Sequence, residues 1–299
     1  LFTKSAKDFL DSWFESDHIK ACFGFDSIVG NYASPETPGS AYVLLHHVFG
    51  EVNGEKGAWG HAVGGMGSIT QLMKSACEEK GVEISTNAPV EKILIKNNKA
   101  NGVMLEDGTQ ILSDKVISNL NPKLLFEKLV DKNDVEQEYR RKILNYKCGS
   151  GTFRMNVALS ELPDFNCLPG KEISEHHKSG IVIAPTLTYM DQAFTDAKQY
   201  GWSKNPIVEM LIPSTVDSTL APEGKHVASL FCQQFAPTLP NNKSWHDEKG
   251  NAANTIIETV NKFAPNFKES ILGMSILSPL DLEEKLGLVG GDIMHGVMS

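Results

Sequence analysis

Apolar and polar positions alternate in three different ways along the chain, and each predicts a different kind of element. Residues 5–25, SAKDFLDSWFESDHIKACFGF, repeat Phe9, Leu10, Trp13, Phe14, Ile19, Cys22 and Phe23 at helical spacing. Ser5 and Asp8 stand where an N-terminal capping pair would, so one helix packed through that stripe is expected. GNYASPETPGS reads as a loop from its Pro and Gly content, and AYVLLHHVFGEV as a short buried helix. SITQLMKSACEEKG predicts a helix capped by Ser68 and stopped by Gly81, with Ile69, Leu72, Met73, Ala76 and Cys77 turned inward. VEISTN predicts a short strand, and residues 90–119 predict further short strands. Turns at Lys96–Lys99 and Glu106-Asp107-Gly108 separate them; Asp-Gly is a strong hairpin signal.

Beyond Pro122 a charged helical stretch, PKLLFEKLVDKNDVEQEYRRKILNY, leads into a second texture. GTFRMNVAL, GIVIAPT, PIVEMLIPS, HVASLFCQQFAP and ILGMSILSP predict strands, and YMDQAFTDAKQYG and SWHDEKGNAANTIIETVNKFAP predict helices. The expected architecture is a mixed α+β layer, helices on one face of a largely antiparallel sheet. A junction is expected between Pro122 and Tyr146. No internal repeat or low-complexity run interrupts the pattern.

Composition narrows the partners. The formal charge of −9 argues against nucleic acid, whose phosphates call for a basic surface. No apolar run approaches the ~18 residues of a membrane-spanning helix, and Leu1 to Lys20 has no signal-peptide pattern. Cys22, Cys77, Cys148, Cys167 and Cys232 are odd in number and form no close pair, which predicts buried, inert thiols in a reducing, cytoplasmic compartment and no zinc site.

The stretch AWGHAVGGMGSIT, residues 58–70, poses the sharpest chemical question. Gly65-Met66-Gly67-Ser68-Ile69-Thr70 is one residue short of the dinucleotide fingerprint G-x-G-x-x-G, and Glu83 stands near the spacing of a ribose-binding acid. A helix follows, but no strand precedes it, and Thr70 puts a branched side chain where the third glycine belongs. The glycines still mark a place where backbone approaches something closely.

The segment from GGMGSITQLMKSACEEKG through DKVISNLNP, flanked by TPGSAYVLLHHVFGE, KGAWGHAVGGMG and, near the end, LSPLDLEEKLGLVGGDIMHG, resembles flavoproteins of the phytoene desaturase and carotene isomerase superfamily. Within it the likeness is to the branch called pyridine nucleotide-disulphide oxidoreductase domain-containing protein 2, and the same Gly-Gly-Met pattern occurs in amine oxidase relatives. The resemblance implies a two-domain flavoprotein. Residues 1–50 and 127–280 would belong to the substrate domain, 51–126 to part of the FAD-binding domain, and 281–299 to a return toward the flavin. It implies that Gly64, Gly65 and Met66 approach the flavin ring and that Val90 meets the adenine through its backbone. Ser118 and Asn119 would return the chain toward the cofactor, and Trp59, His61 and His295 would line the substrate cavity. The family's N-terminal G-x-G-x-x-G and C-terminal flavin motif both lie outside these 299 residues. The expectation is therefore an internal fragment that holds FAD weakly or not at all by itself.

The implied function is hydride transfer to flavin from a small apolar substrate, by desaturation or isomerisation, with membrane contact peripheral at most. Two alternatives stay open: a non-catalytic binding or regulatory protein on the same scaffold, and an amine oxidase relative. His46-His47 is expected to split, one packed and one solvated, and Glu175-His176-His177-Lys178 to be a solvated turn whose imidazoles point apart. No G-x-S-x-G, H-E-x-x-H or G-x-x-x-x-G-K-[ST] motif is present, and Glu78-Glu79 and Glu283-Glu284 read as solvated faces.

Overall fold

A computed structural model describes residues 2–298. Helix α1 (Ala6–Asp11) begins where the sequence predicts: Ser5 Oγ accepts the Asp8 N–H at 3.0 Å. It ends early. The Ser12 hydroxyl donates to the Phe9 carbonyl at 2.6 Å, and the chain restarts as α2 (Asp17–Gly24), so the single expected helix is two. The break turns Trp13, Ile19, Cys22 and Phe23 to solvent, while Leu10 and Ala21 are buried. Helix α3 (Ser40–His46) buries Val43 and Leu44; His47 packs with its Nδ1 2.9 Å from the Val43 carbonyl, and His46 faces solvent.

A small hairpin, β1 (Glu51–Val52) and β2 (Glu55–Lys56), leads to helix α4 (Gly67–Glu78). Ser68 lies inside α4 rather than capping it, its hydroxyl turned back on the Gly65 carbonyl. Nor is the apolar stripe inward: α4 buries no residue, and Leu72 is 71 % exposed. The stripe is amphipathic as expected, but among the described residues no layer covers it. The same holds for VEISTN and KVISN, which form no strand, and Ile117 is 95 % exposed. A strand needs a ladder partner for its backbone groups, and none lies alongside here. The strands β3 (Val90–Lys96), β4 (Lys99–Leu105) and β5 (Gln110–Leu112) do form an antiparallel sheet in sequence order. Asn97 and Asn98, both at positive φ, make the first turn, a two-residue hairpin that matches strand twist.

Short helices α5 (Pro122–Leu124) and α6 (Gln137–Leu144) carry the chain to the main sheet. Its members are β6 (Thr152–Leu159), β7 (Ile181–Ile183), β8 (Trp202–Leu211), β9 (His226–Phe235) and β10 (Ile271–Leu277), in the order β10-β6-β9-β8-β7, all antiparallel. The intervening helices are α7 (Leu187–Tyr200), α8 (Trp245–Phe263) and α9 (Phe267–Ser270), and α10 (Pro279–Leu286) follows.

Helices pack on both faces of this sheet, not one. On the first face, Met155, Val157, Met210, Leu230 and Cys232 meet Ala252, Ile256 and Val260 of α8, with Phe153, Phe235 and Trp245 clustered at one end. On the second, Ile207 and Phe231 meet Leu187 and Met190 of α7 together with Leu10, Phe25 and Leu44. Helices cover only part of that second face. Toward the Leu211 end of β8 it stays open, and Asn156 and Leu211 are exposed. No helix of the described residues is long and apolar enough to cross a membrane.

Candidate functional site

The glycine turn has an anion of the chain already in place. Gly64 and Gly65 adopt φ of 83° and 84°, a region that a side chain would strain. Gly64 N–H donates to Asp217 Oδ2 at 2.7 Å. Asp217 follows β8 and also accepts the Thr219 hydroxyl at 2.6 Å and the Thr219 N–H at 3.0 Å. These bonds from Thr219, and then the Gly64 N–H, hold the Asp217 carboxyl below the ordinary carboxylate range. His61 Nε2 lies 3.8 Å from the same carboxylate. A pyrophosphate loop offers its N–H groups to a ligand's negative charge; here a carboxylate of the chain itself takes the Gly64 N–H. The turn is not a phosphate cradle but a clasp to the main sheet.

Beside the clasp lies a cavity of about 290 Å³. Trp59, His61, Leu211, Ile212, Pro213 and Val216 line it, and Lys178 closes one side. Trp59 stands at its mouth, 81 % exposed. Thus Trp59 and His61 do share a cavity, whereas His295 lies elsewhere, on an exposed left-handed turn whose carbonyl accepts from Asn121 Nδ2. Met66 is exposed, and a Cβ on Gly65 would come within 3.3 Å of Leu220.

A second cavity, about 470 Å³, brings together Val90, Ser118 and Asn119. Its other walls include Ile93, Val103, Val116, Ile117 and Leu124, all apolar. It shares no lining residue with the first. Three positions separated by nearly thirty residues thereby face one space, while Gly64, Gly65 and Met66 line neither cavity.

Two expectations about polar groups need correction. His177 is not in a solvated turn: it is fully buried, its Nδ1 accepting the Ser174 N–H and its Nε2 3.0 Å from the Pro163 carbonyl. The His176 and His177 rings do not point apart but pack with centroids 3.9 Å apart; burial and then that neighbour lower the His176 pKa. No group of metal-ligating side chains forms among the described residues. Of the cysteines, Cys232 is buried and burial pushes its thiol pKa far up, but Cys22 and Cys167 are exposed.

Sequence reasoning missed Asp217. Asp217-Ser218-Thr219 carries a local signal, since an Asp accepting from the residue two ahead is an Asx turn. Its partnership with Gly64, 153 positions away, has no local signature.

Comparison with known proteins bears on the fold and family. The profile of the family described as "Flavin containing amine oxidoreductase" matches residues 4–152. The chain is 38 % identical over 296 residues to the rat (Rattus norvegicus) "Pyridine nucleotide-disulfide oxidoreductase domain-containing protein 2", covering 97 % of this chain and 51 % of that protein. It is 24 % identical over 275 residues to "Phytoene desaturase (lycopene-forming)" of Pseudescherichia vulneris, covering 91 % of this chain and 52 % of that one. Its fold resembles that of an oxidoreductase from Methanosarcina mazei, with a TM-score of 0.62 at 19 % identity, covering 92 % of this chain and 56 % of the other. The chain spans about half the length of the rat and mouse relatives it matches.

Proposed function

We propose that this chain, whose residues 4–152 match the flavin containing amine oxidoreductase family model, forms the substrate-binding half and the inner wall of the flavin site of an FAD-dependent oxidoreductase. The observation that carries this reading is the convergence of Val90, Ser118 and Asn119 on one apolar cavity, where the resemblance calls for Val90 to meet the adenine of FAD and for Ser118 and Asn119 to return toward the cofactor. The fit is to one end of the group only. Apolar walls with a few polar groups suit a flat heterocycle, but the glycine turn is already satisfied by Asp217, so the phosphates would need N–H donors from another segment. The bare apolar stripe of α4 and the exposed Ile117 support docking of such a segment, because contiguous exposed apolar surface marks an interaction site.

Bound FAD supplies the acceptor for the electron pair of a substrate C–H bond. The chain's residues do the rest. Leu211, Ile212, Pro213 and Val216 hold the substrate's apolar body away from water. Asp217 fixes the glycine turn, so that Gly64 and Gly65 would offer backbone without side chains to the bound flavin. His61, beside the Asp217 carboxylate, receives the proton that the substrate releases. Desaturation of an apolar chain is the reaction class this arrangement serves.

The test is the visible spectrum of the chain, and of any longer product of its gene, after incubation with FAD and gel filtration. Flavin retained by at least one of them, and bleached anaerobically by a substrate, is expected. Flavin retained by neither overturns the reading. A Val90→Trp variant, which fills the adenine cavity, should lower FAD affinity without altering the secondary-structure spectrum.

A further inference from the structure

The open part of the main sheet carries an arginine that nothing in the proposed chemistry uses. Arg154 on β6, Phe231 on β9 and Glu209 on β8 are direct cross-strand neighbours in one row of the second face. Asn156, Ser229 and Leu211 form the next row. Arg154 Nη2 donates to Ser229 Oγ at 3.0 Å, and its guanidinium lies 5.3 Å from the centre of the Phe231 ring. Among the described residues no carboxylate comes within ion-pairing distance of it, and Ser229 is the one side chain that accepts from it. A guanidinium has five N–H donors, so this planar fork is largely unspent. Arg154 is only partly accessible, and burial lowers its pKa.

The cavity under Trp59 reaches this row. Leu211 lines the cavity and is the cross-strand partner of Ser229, which places their Cβ atoms about 5 Å apart. Leu211, which lines the apolar cavity, and the half-buried Arg154 guanidinium are thus both neighbours of one side chain, Ser229.

We propose that the open sheet face binds the anionic head of an amphipathic substrate, a carboxylate or phosphate held by Arg154, with its hydrocarbon body in the Trp59–Leu211 cavity. This rests on the oxidoreductase reading for what is then done to the molecule, but not for binding. Glu209, the carboxyl of this row, makes no ion pair with the guanidinium, and burial raises its pKa. Arginine also matches the two oxygens of a carboxylate in a way that a point charge does not.

Binding of dodecanoate, dodecyl phosphate, dodecanol, dodecylamine and dodecane to the full chain, without flavin, measures this directly by calorimetry. Dodecanoate or dodecyl phosphate should bind about tenfold or more tightly than dodecanol. Whichever of the two binds more tightly names the head. Arg154→Gln should remove that preference and leave dodecanol binding unchanged, the neutral ligand reporting that the variant is folded. Arg154→Lys should restore part of it. Equal binding of dodecanoate, dodecyl phosphate and dodecanol, tighter binding of dodecylamine, or a loss in Arg154→Gln that extends equally to dodecanol would overturn the proposal. Anion binding through Arg154 in a protein that never takes up flavin would leave this subsite standing and the oxidoreductase reading fallen. Flavin reduction by substrates indifferent to Arg154→Gln would do the reverse.

Discussion

The carboxylate of Asp217 receives the backbone N–H of Gly64 at 2.7 Å, joining a glycine turn to the main sheet through a bond that spans half the chain. It converts a nucleotide-like motif into a structural clasp, and it makes the cavity beside it depend on one ionised group.

Asp217→Ala should free that turn. Amide hydrogen exchange at Gly64 is expected to rise by about tenfold or more, the usual consequence of losing a charge-assisted bond, while exchange in β6 and β9 stays slow. The acid response follows from the same bonds. Since they depress the folded carboxyl, the contact is intact at neutral pH and opens only as pH falls through a value below the ordinary carboxylate range. Gly64 exchange or its NMR shift followed against pH would read this; an unchanged rate in Asp217→Ala would count against the clasp.

Substitutions in the two regions should differ sharply in cost. Phe153 is fully buried against Phe235 and Trp245, and Phe153→Ala should lose about 3–5 kcal/mol in urea unfolding. Leu72→Ala, on the bare stripe of α4, should stay within about 0.5 kcal/mol of the parent chain.

Asp281 at the start of α10 carries the clearest acid-sensitive stability. Burial alone would raise its pKa, but bonds from Lys285 at 2.8 Å, Ser278 Oγ at 2.7 Å and Lys249 at 3.0 Å outweigh it and hold the carboxyl far below the ordinary range. A depressed folded pKa stabilises the protein fully above the unfolded value, about 4, and that contribution disappears as pH falls toward the folded one. The urea midpoint of Asp281→Asn should therefore lie below that of the parent at pH 7, and the gap should narrow steadily below about pH 4. A gap independent of pH would rule out this origin.

Gly102 is the one position in the small sheet where any side chain fails. Its φ is +147°, and an added Cβ would collide with the Ile111 carbonyl across the β4–β5 ladder. Gly102→Ala should cost about 1 kcal/mol or more and detach β5 first, visible as rapid exchange at Ile111.

The main sheet is legible in the sequence because β6, β7, β8 and β9 bury side chains and β10 half-buries Ile271 and Ile276, and burial writes a short β-branched or aromatic run such as FRMNVAL or IVEML. Both long helices, α7 and α8, read correctly for the same reason. The N-terminal helix misreads because apolar spacing continues through Trp13 and Phe14, whereas the Ser12 hydroxyl ends the hydrogen-bond ladder there. VEISTN and KVISN misread because strand character needs a neighbour as well as a composition. At the site, Trp59 and His61 are visible from their place beside the glycines. Asp217 and Arg154 are not, since their meaning comes from contacts across the fold.

Along β6, β8 and β9 the two faces are written in alternate positions: Met155, Met210 and Leu230 hold the packed side, while Arg154, Asn156, Glu209, Leu211 and Ser229 occupy the other. Natural variation can then rewrite what the open side recognises, one odd or even position at a time, without touching a residue of the packed core. The insertion or deletion of one residue has no such freedom, for it would exchange the two texts along an entire strand.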